Sequence, residues 1–200
     1  VFNNTTGNVL NNEQQAAFER FIQAGGGFVG IHAAADTEYD WPWYGKLVGA
    51  YFVSHPRNPN IREAELILAD TANPITRNLP KSWNRTDEWY NYKSFYPGIK
   101  VLASLNEASY VGGTNGNHHP ISWHHEYDGG RSFYTGGGHT EESFSEPAFV
   151  QHLKAGIAYA VGEGIKLDYQ KASAKTRPEE SRFVKTVLVN NLNSPMEIAI

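Results

Sequence analysis

The chain has 200 residues, a hydrophobic content of 40% and a formal net charge of −4 at pH 7. This length can bury the core of one domain, and the mildly acidic balance gives no reason to expect a nucleic-acid partner. No stretch approaches the roughly 20 apolar residues of a membrane span, and the absence of cysteine excludes disulfides, thiolate metal sites and cysteine nucleophiles.

The first predicted element is an amphipathic helix. Asn11 and Asn12 both suit an N-cap, and Gln15 lies at capping-box distance from Asn12. Three glycines at 25–27 then favour the end of the helix. The all-apolar run 28–31 predicts a strand that is covered on both faces. Helix, glycine turn and buried strand in this order indicate an α/β sheet.

Further strands and one more helix follow. Residues 62–70 and 100–106 have strand patterns, and residues 121–127 and 131–135 predict a hairpin closed by an Asp-Gly-Gly turn. A last helix is expected to begin near 145–147, where a serine can cap and a proline fits the first turn. Together these elements predict a doubly wound, mostly parallel sheet with helices on both faces.

The composition changes after Gly164. Residues 1–164 are predicted to form the α/β domain, and the polar, unpatterned residues 165–182 a linker. Residues 183–200 predict a strand, a turn and a strand, which would be the truncated beginning of a following domain. The chain starts without methionine and ends in an apolar run, so we expect a fragment of a longer polypeptide, in which a signal peptide would not be observable.

Two histidines are expected on one rim of the sheet. His32 ends the strand 28–31, and His139 follows the strand 131–135 and three glycines. In open α/β sheets ligands bind outside the carboxyl ends of the strands. Small residues around His32 favour a tight strand-to-helix elbow that presents one side chain. That side chain is imidazole here, which can serve as a base, a metal ligand or a hydrogen-bond anchor.

Two long segments resemble the ThuA-like, or trehalose-utilisation, family. They are "GGGFVGIHAAADTEYDWPWYGKLVGAYFVSHP" and "HPISWHHEYDGGRSFYTGGGHTEESF", and the resemblance covers roughly residues 1–162. It implies a fold like that of class I glutamine amidotransferases, related to flavodoxin-like sheets, with one or two N-terminal strands missing. It also implies a role in sugar metabolism and favours a periplasmic or extracellular location.

The same resemblance points to catalytic candidates. Amidotransferases have a cysteine at the elbow and a His-x-Glu motif after a later strand; here His32 occupies the elbow, and His139 and Glu141 match the motif. Without any thiol, glutamine hydrolysis through a thioester is excluded. Asp36 follows the elbow closely and is a fourth catalytic candidate, although it is equally suited to cap a helix that starts near Thr37.

Aromatic and polar side chains near these residues are candidates for binding a carbohydrate. Aromatic rings can stack on sugar rings while carboxylates and imidazoles bind hydroxyl groups, but aromatics also fill cores, and acidic pairs are often merely solvated. His124 is preferred over its neighbour because only one of two consecutive strand residues faces the site. The substrate-binding candidates are Trp41, Trp43, Tyr44, His55, Glu88, Trp89 and His124.

Two functions remain open at this point. One is a glycoside- or keto-sugar-processing hydrolase that uses histidines and carboxylates. A divalent metal such as zinc, if present, would be bound by His32, His55 and His139 together with a carboxylate. The other is a non-catalytic carbohydrate-binding or docking module of a larger secreted protein. The second is favoured by residues 183–200, which weakly resemble the first strand of a sugar-dehydrogenase β-propeller, so a fused propeller is a candidate partner.

Overall fold

The computed structural model describes residues 1–178 and residue 182. In this part of the chain the helices are α1 (Asn12–Gln23), α2 (Pro42–Val48) and α3 (Pro147–Val161). The strands are β1 (Phe2–Asn3), β2 (Gly27–Ile31), β3 (Tyr51–Ser54), β4 (Ile61–Leu68), β5 (Ser82–Glu88), β6 (Asn91–Lys93), β7 (Lys100–Leu105), β8 (Pro120–Tyr127) and β9 (Gly130–Thr135).

A seven-stranded sheet organises the molecule, in the order β1-β2-β9-β8-β7-β4-β5, and β3 pairs with β6 in a separate two-stranded sheet. The predicted α/β class is confirmed. Parallel pairing is confined to β1, β2 and β9, whereas β9-β8, β8-β7, β7-β4 and β4-β5 are antiparallel. The parallel part is therefore narrower than predicted, because strands joined by a short turn, such as β8 and β9, can pair only in antiparallel fashion.

Hydrophobic cores lie on both faces of the sheet. Phe28 packs into a large cluster with residues of α1 and α2, whereas its neighbour Val29 packs into a second cluster with residues of α3. Successive side chains of a strand point to opposite faces, so the all-apolar sequence of β2 is the consequence of cover on both sides. This burial holds the carboxyl end of β2 in a fixed place.

Two predicted helix starts differ from the observed ones. The N-cap of α1 is Asn11, whose side chain accepts from the Gln14 amide at 2.9 Å, so the capping box lies one residue earlier than predicted. Asp36 does not cap a helix near Thr37. It ends a 3-10 turn, His32–Asp36, and α2 begins only at Pro42, where a proline fits the first turn.

The part of the predicted linker that the structure describes lies against α1. The Asp168 amide donates to the Ala24 carbonyl at 2.8 Å, and the amides of Ser173 and Ala174 donate to the Gln23 side chain. The domain boundary at 164 stays a prediction, and residues 183–200 lie outside the described residues. Among residues 1–178 and 182, no helix has the length and apolar character needed to cross a membrane.

Candidate functional site

The elbow after β2 holds His32 in a fixed orientation. Its backbone φ of 47° lies in the left-handed region, and its side chain is 1% exposed. Histidine enters this region more readily than most residues, and such strained positions cluster at functional sites. The ring atom Nδ1 lies 2.9 Å from the carbonyl oxygen of Gly136. Because a carbonyl only accepts, Nδ1 carries a proton and the tautomer is decided.

Glu88 contacts His32 although the two residues belong to strands that lie far apart in the strand order. It is the last residue of β5, which lies at the edge of the strand order, yet its Oε2 lies 3.1 Å from His32 Nε2. Oε1 accepts a hydrogen bond of 2.7 Å from the Asn60 side chain. An ionised carboxylate also only accepts, so its contact with Nε2 requires a positive charge between the two atoms.

The charge state of Glu88 follows from this contact. Burial by itself raises the pKa of Glu88, but the hydrogen bonds from His32 and Asn60 and the charges of His139 and His32 lower it to about 2. Glu88 is therefore ionised at neutral pH. A buried carboxylate that remains charged needs partners on every side, and the imidazoles are those partners.

Two partly exposed imidazoles flank Glu88. His139 Nδ1 lies 3.5 Å from Oε2, and its side chain is 36% exposed. His55 Nδ1 lies 3.6 Å from Oε1 and 2.7 Å from the Pro56 carbonyl oxygen. The rings of His32 and His139 are 5.0 Å apart between centroids. We call His32, Glu88, His139 and His55 the histidine cluster.

Asp87 anchors the loop that carries His139. The Asp87 carboxylate is fully buried and accepts from the amides of Gly138 at 2.7 Å and His139 at 3.1 Å. It also accepts from the Ser143 hydroxyl at 2.9 Å, and the Arg85 guanidinium lies 3.1 Å away. Asp87 and Glu88 are consecutive, so one strand end positions two components of the cluster.

Most aromatic candidates do not reach the cluster. Trp41 and Trp43 stack on each other 4.9 Å apart, and Trp43 Nε1 donates to Asp128 in the turn at the amino end of β9, the opposite edge of the sheet. The Tyr44 hydroxyl donates to the Ala34 carbonyl within the core. Trp89 is completely buried and donates to the Arg62 carbonyl. Trp41, Tyr44 and Trp89 fill the interior, and the half-buried Trp43 packs against it.

Three polar candidates also lie apart from Glu88. The ring of His124 packs against Tyr159 of α3, on the face of β8 away from His125. Glu141 is exposed and does not reach the cluster. The carboxylate that lies next to His139 is Glu88 instead of the expected Glu141. The half-buried carboxylate of Asp36 accepts from the Tyr39 hydroxyl at 2.7 Å.

Sequence reasoning missed Asn60, and it weighed Asp87 and Tyr90, which lie beside Glu88 and Trp89 in the chain, without choosing them as site residues. The Tyr90 ring lies 4.1 Å from the His32 ring, between centroids. A signal for Asp87 was available, since Arg85 and Asp87 share one face of β5 and opposite charges two residues apart on a strand indicate an ion pair. Asn60 had no such signal because it lies in a loop whose path depends on the fold.

Gly136, whose carbonyl oxygen accepts from His32, has no room for a side chain. Replacing it with alanine is expected to lower the free energy of unfolding by about 1–3 kcal/mol. A Cβ atom there would lie 2.2 Å from the Tyr92 hydroxyl and 2.5 Å from Ile121 Cδ1. Urea denaturation measures the change, with the exposed Lys154→Ala in α3 as the control. An unchanged midpoint for Gly136→Ala would show that this packing is not tight.

A metal ion has one candidate place among the described residues. His32, Glu88 and His139 each offer one ligand atom, and the three atoms lie within 4.8 Å of one another. His55, which belonged to the predicted set, turns Nδ1 toward the Pro56 carbonyl. The observed group therefore keeps His32 and His139 of the expected set, lacks His55, and has Glu88 as its carboxylate.

Comparisons with known proteins agree with this architecture. A ThuA-like protein from Bacteroides uniformis aligns with a TM-score of 0.66 at 27% identity, covering 78% of this chain and 67% of that protein. A ThuA-like protein from Parabacteroides merdae aligns with a TM-score of 0.62 at 20% identity, covering 86% and 76%. The sequence has no significant match among curated proteins. The ThuA family model, described as trehalose utilisation, matches residues 1–160, and the chain therefore belongs to the ThuA family.

Proposed function

We propose that this chain is a hydrolase-like enzyme that processes a sugar or glycoside at the histidine cluster. The observation that carries the proposal is the buried carboxylate of Glu88, which three imidazoles surround at the carboxyl edge of the sheet. Charged groups are costly to bury, and their concentration in one place favours a catalytic site. The family description, trehalose utilisation, supports carbohydrate as the substrate class.

The members of the cluster are suited to different tasks. His32 and Glu88 are buried and held by hydrogen bonds, so they would provide a fixed charge distribution. His139 and His55 are partly exposed and would meet the substrate. Because Nδ1 of His55 faces a carbonyl, Nε2 is the atom left to exchange a proton with a sugar oxygen.

A sugar-binding surface next to the cluster is also part of the proposal. Phe52 is half-buried, and its ring lies 4.2 Å from Tyr90 and 5.9 Å from His55, between centroids. Burial raises the pKa of Tyr90, and the charges of Glu88 and Asp36 raise it further. An aromatic ring with polar neighbours suits the apolar face and hydroxyl groups of a sugar.

The proposal also covers the relation of the chain to amidotransferases, a following domain and the location of the protein. The elbow at His32 supports a relation to class I glutamine amidotransferases, in which a nucleophile occupies this position, but here the chemistry would rest on imidazole. A fused propeller after residue 182 and a periplasmic or extracellular location remain proposals that derive from the sequence resemblance.

A screen of glycosides, 3-keto-glycosides and free sugars against the purified chain tests the proposal. Product release measured by mass spectrometry, together with calorimetric titration of the same compounds, separates catalysis from binding. Turnover supports the proposal. Binding without turnover for every compound would contradict it and would instead favour a carbohydrate-binding or docking module.

His55→Ala is expected to reduce turnover of any substrate found by about 10²-fold, because it removes the proton-transferring ring and leaves the other imidazoles in place. The matched control is His118→Ala, which removes an exposed histidine from a loop. Steady-state kinetics over a range of pH measure the effect. Equal kcat values for the His55 variant and the control would exclude His55 from the proton transfer.

A further inference from the structure

We propose that His32, Glu88 and His139 bind one divalent transition-metal ion of the zinc type and leave a coordination position open to solvent. A metal ion here would extend the proposed function, because the same cluster would then be a metal-assisted reaction centre. Its catalytic role rests on that proposed function. The binding itself can be measured without any substrate.

The spacing of the ligand atoms fits such an ion. Glu88 Oε2 lies 3.1 Å from His32 Nε2 and 3.5 Å from His139 Nδ1, and all three atoms lie within 4.8 Å of one another. Ligand atoms around tetrahedral zinc lie about 2.1 Å from the ion and therefore about 3.4 Å apart. Only small side-chain movements separate the observed arrangement from that geometry.

The hydrogen bonding of His32 gives a second, independent reason. Nδ1 donates to the Gly136 carbonyl at 2.9 Å, so a neutral His32 presents the lone pair of Nε2 toward the oxygen of Glu88. Two lone pairs 3.1 Å apart repel each other unless a positive charge lies between them. A metal ion supplies that charge in place of a second proton on His32, and a carbonyl that orients a ligating imidazole is the usual outer partner of a metal-bound histidine.

The chemistry of the donors favours zinc over magnesium or calcium. Two imidazole nitrogens and one carboxylate oxygen form the donor set of several catalytic zinc sites, in which water or substrate completes the coordination. Magnesium and calcium prefer sites made of oxygen atoms. The ring of His139 is 36% exposed, which leaves access for the ion and for a fourth ligand.

The surrounding residues are consistent with this assignment. The Asn60 side chain donates a hydrogen bond of 2.7 Å to Glu88 Oε1, which leaves Oε2 as the single coordinating oxygen. His55 lies outside the ligand group because its Nδ1 is 2.7 Å from the Pro56 carbonyl. It therefore remains the imidazole beside the ion that exchanges protons with the substrate.

The test uses the full chain without an affinity tag, stripped of metal by a chelator and then titrated with Zn²⁺ in a calorimeter. We expect one ion per chain, and Co²⁺ is expected to give the intense visible absorption of a four- or five-coordinate site. Glu88→Gln and His139→Ala should each weaken Zn²⁺ binding by at least 100-fold. His118→Ala, which removes an exposed histidine, should leave the affinity unchanged.

Absence of stoichiometric binding, or equal affinity in His139→Ala and His118→Ala, would overturn the proposal and would leave a proton-bridged ion pair between His32 and Glu88. If circular dichroism shows that Glu88→Gln is unfolded, the test rests on the comparison of His139→Ala with His118→Ala, because His139 is partly exposed. Zinc binding without turnover of any sugar contradicts the proposed function alone. Turnover that survives complete metal removal contradicts the catalytic role of the metal alone.

Discussion

Glu88→Gln is expected to reduce sugar turnover by about 10³-fold or more while the overall fold is retained. Glutamine has nearly the same shape, and its side-chain oxygen can still accept from Asn60, but the substitution removes the negative charge that His32, His139 and His55 surround. Groups that act as a unit in catalysis lose most of the effect when one of them is removed. Steady-state kinetics with the best substrate measure the loss.

The matched control is Glu126→Gln, which neutralises an exposed carboxylate on β8. A second variant, Glu88→Asp, keeps the charge but moves it away from the imidazoles, and it should recover part of the activity. If Glu88→Gln and Glu126→Gln had the same kcat while both were folded, the histidine cluster would not be the reaction centre.

A steep loss of stability on acidification is expected from two buried histidines outside the cluster. Burial lowers the pKa of His125 to about 4, with a smaller contribution from the charge of His124. Burial also lowers the pKa of His152 to about 4. Both rings are neutral in the folded chain at neutral pH, whereas in the unfolded chain they bind protons near the ordinary value of about 6.5.

The sign follows from proton uptake. A buried histidine whose pKa is lowered in the folded chain contributes its full stabilisation above about pH 6.5, where both states are neutral. This contribution is lost as the pH falls toward 4, because only the unfolded chain then takes up the proton. Each histidine then removes about 1.4 kcal/mol per pH unit, or about 3 kcal/mol over the whole interval. Together they would cancel a large part of the free energy of unfolding of a typical domain.

Urea denaturation between pH 4.5 and 7 measures this dependence. His152→Gln is expected to reduce the slope of unfolding free energy against pH by about one proton, since glutamine does not titrate but can still donate to Ser122, the hydroxyl that lies 2.9 Å from His152 Nε2. His118→Gln, in an exposed loop, should leave the slope unchanged. An unaltered slope for His152→Gln would show that this ring binds protons equally in the folded and the unfolded chain.

Local patterns in the sequence were sufficient for the elements and for part of the cluster. The histidine after an apolar run, with small residues nearby, predicted the elbow, and the observed φ of 47° at His32 lies in the left-handed region. The sequence also predicted that His139 lies near His32 on the same edge of the sheet, and the two ring centroids are 5.0 Å apart. Such predictions succeed because turn chemistry and side-chain periodicity depend on neighbours in the chain.

Other features depend on contacts between distant segments. The amino-acid order of residues 82–88 cannot reveal that the last residue of an edge strand reaches His32, because the strand order and the curvature of the sheet decide where that end lies. For the same reason Trp41, Trp43 and Tyr44 could be read as sugar-binding rings although Trp41 and Tyr44 lie in the core and Trp43 packs against it. Residue types and spacing thus indicated an α/β sheet with histidines at a strand end, whereas the choice of Glu88 as their partner required long-range packing, in which each side chain's neighbours come from elsewhere in the chain.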